Sequence, residues 1–307
     1  MTRPTIEYDD NLELYLKQVR KIFDVPRIVN KSPAQPQIIQ YYSMNRLTYR
    51  LFYSWEGFYH SGISYDGKRK KEDLKEQARI IEGYIRDMRA TDVLELGCGL
   101  GPNSAFLAAR NPHVNFVGVD LSNKPLKRFT AIPNLSFRCG DYHDLSNFED
   151  DSYDVVFVIE ALCYSTNKQQ VLGEVKRKLR KGGVFIVFDV YQSDRASPLN
   201  PSEKVMWELI TKGVAANKFE LVKDVENYMR EQYSIAVAKD LSQCILPSFE
   251  RQEALVRFYF RHPTLVKAAN AFLPFDVVKN AVVVLLIPTS IRRQIKCYYL
   301  HVLKNDL

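Results

Sequence analysis

Zinc-site spacings, paired-cysteine motifs and membrane-spanning runs are all missing from this sequence. The five cysteines, Cys98, Cys139, Cys163, Cys244 and Cys297, form no CxxC pair and have no histidine at metal-ligand spacing. That argues against a zinc site and a disulfide framework, and it suits a reducing compartment; no bound metal is expected. The most apolar window, AVVVLLIP at 281–288, is far short of the ~20 residues that cross a bilayer, so no integral membrane segment is expected. MTRPTIEYDDNLELYL carries charges where a secretory leader would have its apolar region, and a cytoplasmic chain is expected. Internal repeats and low-complexity tracts are absent. Basic clusters interleaved with aromatics are absent too, which argues against a nucleic-acid partner. The formal charge of +7 is carried in mixed-sign stretches such as KRKKEDLKEQ at 68–77, which read as solvated helical faces.

What is present is core material and a change of rhythm. Residues 5–30 read as a helix with apolar positions at Leu12, Leu14, Val19, Ile22 and Phe23, broken by SPAQPQ at 32–37. A second, aromatic helix is expected over 37–55, and HSGISYDGKRK after it is a loop. Leu74, Ala78, Ile81 and Ile85 then share one helical face. From there short apolar strands alternate with helices: VLELG (93–97), NFVGVD (115–120) followed by KPLKRFTA, LSFRCGD (135–141), YDVVFVIEA (153–161), then GGVFIVFDVY (182–191). This alternation predicts an α/β fold, a doubly wound Rossmann-like sheet with right-handed crossovers. KFELVKDVE (218–226) reads as a further strand and KCYYLHVLKN (296–305) as the last. Between them the periodicity is helical, with breaks expected at Pro247, Pro263, Pro274 and Pro288. The division expected is an N-terminal helical cap over 1–71, a core over 72–226, a helical substrate lid over 227–292 and a final core strand over 293–307.

VLELGCGLGPN at 93–103 is the most informative stretch. Gly97, Gly99 and Gly101 at the exit of a strand allow a tight turn and a close approach of backbone to ligand at a helix N-terminus. The pattern overlaps the dinucleotide fingerprint GxGxxG, but the last spacing differs and Glu95 precedes the first glycine. A carboxylate there suits the cationic amino-acid end of S-adenosylmethionine better than a pyrophosphate. Asp120, at the tip of the second strand, can accept from both ribose hydroxyls. Asp141 can accept from an adenine amino group, and Tyr142 can cover the ring. Cys98 within the turn, read as a small packing residue, and Leu121 beside Asp120 complete the expected cofactor contacts.

Residues 91–191 resemble the core of a class I S-adenosylmethionine-dependent methyltransferase, on ELGCGLG, VGVDLS, CGDYHDL, YDVVFVIEALCY and LRKGGVFIVFD in that order. The wider chain resembles the small-molecule branch containing sterol and prenyl C-methyltransferases and tocopherol-type enzymes. IIQYYSMNRLTYRLFYSWEGFYHSG upstream and a last strand of the Y-x-x-H-V-L-K type carry that likeness. The resemblance implies S-adenosyl-L-methionine held by Glu95, Gly97, Gly99, Asp120 and Asp141.

Methyl transfer needs alignment and exclusion of water more than covalent help. An alkene acceptor passes through a cation, which calls for aromatic faces and a base. The chain has 17 Phe, 18 Tyr and 2 Trp, and Tyr53, Trp55, Tyr59 and Trp207 are the candidates for acceptor binding. Glu160, closing the fourth strand, is the first candidate base and a further cofactor contact; His60 in FYHSG is the second. His143 is expected to pack near the cofactor. Arg292, Arg293 and Lys296 are cations that could meet a diphosphate, or simply be solvated. C-methylation of an apolar isoprenoid or sterol-like small molecule is favoured. Oxygen or nitrogen methylation of an aromatic metabolite, and a cofactor-binding module without turnover, stay open, as does homo-oligomerisation.

Overall fold

The computed structural model describes residues 11–30, 40, 43–45, 54–122, 129, 131–196 and 198–306. Tyr53, most of the helix expected over 37–55 and the helix expected over KPLKRFTA lie outside the described residues. The chain divides into two compact units. One comprises 1–45, 193–217 and 249–296; the other, which holds the sheet, comprises 46–192, 218–248 and 297–307.

In chain order, α1 (Leu12–Ile22) and α2 (Val25–Val29) come first. They replace the single helix expected up to residue 30. Asp24 accepts from the Arg27 N–H and Pro26 occupies the first turn, so a new helix starts where the old one would have run on. A 3-10 turn leads into α3 (Glu76–Asp87), then β1 (Asp92–Leu96), α4 (Pro102–Arg110), β2 (Asn115–Asp120), β3 (Leu135–Cys139) and β4 (Tyr153–Ile159). Next are α5 (Lys168–Lys178), β5 (Leu179–Gln192), α6 (Pro201–Gly213), α7 (Val222–Arg230) and β6 (Ser234–Asp240). The chain closes with α8 (Ser242–Arg261), α9 (Pro263–Phe272), α10 (Phe275–Val278), α11 (Asn280–Arg292) and β7 (Lys296–Lys304).

The strand order is β3-β2-β1-β4-β5-β7-β6. β1 to β5 pair in parallel, and β6 runs antiparallel to β7. β1 and β4 are buried along nearly their whole length and β5 from Gly183 to Tyr191, as strands covered on both faces by helices must be. The chain runs outward from β1 through β2 to β3 and then returns to lay β4 on the other side of β1. The carboxyl ends of β1 and β4 therefore flank the switch point, the usual ligand crevice of such sheets.

Two expectations need correction here. KFELVKDVE is not a strand: Val222, Val225 and Met229 recur at helical spacing and are buried as one face of α7. The alternation of Phe219 and Leu221 is too short to compete, and leaves only an isolated bridge from Leu221 to Gln192. The sixth strand is β6, an edge strand largely exposed, whose sequence SIAVAKD has too little apolar alternation to announce itself. The helical segment expected from 227 consequently begins at Ser242. Pro263 starts α9 and Pro274 is the N-cap of α10 as breaks should, but Pro247 and Pro288 lie inside α8 and α11. Buried side chains on both sides, among them Ile245, Phe249, Ile287 and Ile291, hold those helices through the missing N–H.

The helical unit packs α6 against α11 and α2. Gly213 permits the closest approach, because a Cβ there would stand 2.2 Å from Val283 Cγ2. Asn200 and Glu203 form a reciprocal cap at the start of α6.

Candidate functional site

At the end of β1 the chain turns through Gly97, Gly99 and Gly101, all at positive φ. Two of these glycines are enforced by packing. A Cβ on Gly97 would meet Ala161 Cβ at 2.5 Å, and one on Gly101 would meet Phe137 Cζ at 2.3 Å. Gly99 differs: among the described residues, its chain neighbours aside, no heavy atom lies within 4 Å of where its Cβ would be. The backbone at Gly99 thus faces open space, the cradle a close-approaching ligand needs.

Carboxylates surround that turn. Asp120, ending β2, accepts from the Gly99 N–H at 3.0 Å and from the Ser122 N–H at 3.0 Å. Burial holds its pKa above the usual range. Glu95 is buried and both its oxygens meet the first turn of α4: the Ser104 N–H (3.2 Å) and O–H donate to Oε2, and Asn103 Nδ2 donates to Oε1 at 3.4 Å. Burial pushes its pKa up to about 7 against the lowering effect of those bonds, with the Asp120 charge adding to the rise. The Cys98 thiol is buried and pushed well up by burial, in keeping with a packing role. Leu121, half-buried, accepts from Cys139 Sγ at its carbonyl.

Beyond β3, Asp141 Oδ1 lies 2.6 Å from His143 Nδ1 and accepts from the His143 N–H at 3.0 Å. His143 Nε2 reaches Ser165 Oγ at 2.8 Å. The Tyr142 ring is buried, lies against His143 with centroids 4.9 Å apart, and donates its hydroxyl to the Ala161 carbonyl at 2.9 Å. Tyr142 and Ala161 therefore join the ends of β3 and β4 beneath the glycine turn.

Glu160 follows β4 at φ +50°, a left-handed conformation that a glutamate adopts at a cost. Its N–H donates to Phe188 at 2.8 Å, and its Oε1 accepts from the Ser61 N–H at 2.7 Å. Gln77 Nε2 donates to the Ser61 carbonyl at 2.6 Å and to the Tyr298 hydroxyl at 3.2 Å. His60 is buried; its Nε2 meets Asn103 Oδ1 at 3.2 Å, and Asn103 in turn bonds Glu95. His60, Asn103 and Glu95 form one chain of bonds tying the 58–64 segment to β1. Ser61 Oγ and Gln77 Oε1 are buried with no hydrogen-bond partner among the described residues.

The structure thus gathers Glu95, the glycine turn, Asp120, Asp141, Tyr142, Glu160 and His60 within the sheet-bearing unit. Trp55 lies 62% exposed, and Tyr59 is half-buried beside the Phe58–His60 edge contact. Trp207 belongs to the other unit, buried in α6. Arg292 is paired with Glu250 and Glu253, and Arg293 with Glu203, while Lys296 sits over the Phe249 ring. Sequence reasoning missed Asp189, buried on β5, which accepts from the Cys163 and Val190 N–H groups and is pushed up to about 6 by burial. An acid inside the apolar run FIVFDVY was its signal. Ser61, Gln77 and Tyr298 gave none.

Glu95 carries a pH prediction. Its pKa is about 7 folded and near the ordinary 4.5 unfolded. Between those values the folded chain keeps a proton the unfolded chain has lost, so the stability contribution of Glu95 falls as pH rises from 4.5 to 7 and is level above. Glu95→Gln, which keeps an acceptor for Ser104, should gain ~2–3 kcal/mol on the parent between pH 5 and pH 8 in urea titrations. Parallel pH dependences in the two proteins would contradict this.

Known proteins resemble this chain in sequence and in fold. The family described as "Methyltransferase domain" matches residues 94–187. Sterol 24-C-methyltransferase of Saccharomyces cerevisiae is 25% identical over 165 residues, 51% of this chain and 43% of the relative. The 2-methyl-6-phytyl-1,4-hydroquinone methyltransferase of Synechocystis sp. is 37% identical over 126 residues, 39% of each chain. Both matches thus span less than half of the relative. The geranyl diphosphate C-methyltransferase of Streptomyces coelicolor, solved with Mg2+, geranyl diphosphate and S-adenosyl-L-homocysteine, shares the fold with TM-score 0.58 at 15% identity, over 89% of this chain and 100% of its own.

Proposed function

We propose that this chain, whose residues 94–187 carry a methyltransferase domain, transfers a methyl group from S-adenosylmethionine to a carbon of an apolar, isoprenoid or sterol-like acceptor. The observation that carries the reading is an open glycine cradle at Gly99 whose N–H is held by Asp120, with Ala161, the neighbour of Glu160, packed under Gly97, at the switch point of the sheet. The relatives are named for methylating a sterol carbon and a phytyl-bearing hydroquinone, and the structural neighbour for geranyl diphosphate. All three acceptors are isoprenoid in kind.

The residues present fit the cofactor. Gly99 leaves room for it, Asp120 has lone pairs left for ribose hydroxyls, and the hydroxyl of Ser61, whose N–H meets Glu160, is buried with no partner among the described residues. In this reading Asp141 and Tyr142 border the adenine, and Glu95 shapes the turn through its bonds to Asn103 and Ser104. When bound, S-adenosylmethionine supplies an electrophilic methyl group for in-line displacement. Glu160 takes the proton that the methylated carbon must release, with its carboxylate aimed by the Ser61 N–H. His60, committed to Asn103, holds the 58–64 segment in place and is second in line as a base.

Incubation with radiolabelled S-adenosylmethionine and pooled sterol, prenyl-lipid and phenolic extracts tests this. Label should appear in a lipid-soluble product with a new carbon–methyl bond. Label only in phenolic ethers or amines would move the reaction to a heteroatom, and cofactor binding with no product from any pool would leave a binding module.

A further inference from the structure

Eight large apolar side chains stand well exposed among the described residues, and five of them fall between 255 and 273: Leu255, Phe258, Leu265, Phe272 and Leu273, with Phe272 at 87%. They are organised by helical spacing. From 251 to the end of α8 the exposed positions are 251, 254, 255, 258 and 261, three and four apart, while Gln252, Glu253 and Phe260 are buried. On α9 the exposed Leu265, Ala268 and Phe272 repeat the pattern.

The exposed charges within 251–275 have one sign, and Glu250, the exposed acid just before them on α8, is paired with Arg292. Arg251, Arg261 and Lys267 are exposed, and Arg257 is half-exposed. Glu253, the one acid from 251 to 275, is buried and bonded to Tyr15 and Arg292. A helix with an apolar stripe bordered by cations settles in a bilayer interface, stripe among acyl chains and cations among anionic headgroups. A protein partner would need a matched shape. Among the residues of α9 with described side chains, Val266 alone is buried, so this helix offers its apolar side to a yielding medium rather than to a fitted pocket.

We propose that the C-terminal half of α8 together with α9 is a docking face for an anionic lipid surface, with Phe258, Leu265 and Phe272 as the inserted side chains. The binding does not depend on which acceptor the enzyme uses. Co-sedimentation of the full chain with vesicles of phosphatidylcholine, alone or with about a third phosphatidylglycerol, tests it. The parent should pellet with the anionic vesicles and be released by added salt. Leu265→Glu with Phe272→Glu should lower the partition coefficient at least about ten-fold with an unchanged circular-dichroism melt. Arg261→Glu with Lys267→Glu should abolish the preference for anionic lipid. Failure of the parent to pellet, or equal pelleting of the Leu265/Phe272 variant, would overturn the proposal. A concentration-dependent dimer dissolved by the same variant, without vesicle binding, would assign the face to a second copy of this chain. Neither result bears on methyl transfer, which is assayed separately with detergent-dispersed acceptor.

Discussion

Replacing Gly99 by valine should weaken S-adenosylmethionine binding by more than ten-fold, on the order of 1.4 kcal/mol or more, and Asp120→Ala should do the same. The glycine turn offers three places to test, and the geometry decides among them. A side chain at Gly97 or Gly101 would strike Ala161 or Phe137, so loss of binding there would report a damaged fold. At Gly99 the added atoms would enter open space. The remaining difficulty is backbone strain, since φ is +56° and an L-residue there costs ~1–2 kcal/mol. Gly99→Ala carries most of that strain with little bulk, and should therefore lose much less affinity than Gly99→Val at a similar melting temperature. Asp120→Ala removes the acceptor of the Gly99 and Ser122 N–H groups along with any bond to the ribose, whereas Asp120→Asn keeps an acceptor for the turn. Calorimetry with S-adenosylhomocysteine on folded variants would settle the matter. Native-like affinity in both Gly99→Val and Asp120→Ala would move the cofactor elsewhere.

Much of this site was legible because its signals are local. Strand, glycine turn and helix follow one another within VLELGCGLGPN, and the acids Asp120, Asp141 and Glu160 fall at or just past the ends of the strands that follow. A parallel sheet converts those positions into proximity at one edge. What stayed hidden is what tertiary packing supplies. Ser61 acts through its backbone N–H, which no side chain announces, and Gln77 and Tyr298 reach Ser61 across long sequence separations. The positive φ of Glu160 was equally invisible, because the strand pattern VVFVIEA runs through it unbroken. The error at 218–226 has a different cause. Two apolar alternations there overlapped a helical period that became visible only over the longer span to Met229.

The strained Glu160 is also where the largest catalytic effect is expected. Glu160→Gln should leave cofactor affinity nearly intact and cut turnover by ~100-fold or more, the range for loss of a general base. The substitution is close to isosteric, and the amide oxygen can still accept from the Ser61 N–H that the carboxylate now meets at 2.7 Å. The backbone bond from residue 160 to Phe188 is untouched. What the amide cannot do is take a proton from a methylated carbon. If methylation of an alkene leaves a cation beside this residue, the variant should also release rearranged or water-quenched products, detectable by mass spectrometry of the lipid fraction. An oxygen nucleophile already ionised at neutral pH would need no base and lose almost nothing. Full turnover by Glu160→Gln with the identified acceptor would therefore remove Glu160 as the base and favour heteroatom methylation. His60→Ala then becomes the informative variant. His60 bonds Asn103, and Asn103 bonds Glu95, so a merely structural His60 should show its loss first in the melting temperature and in cofactor affinity. A loss confined to turnover, with both of those preserved, would transfer the proton to His60.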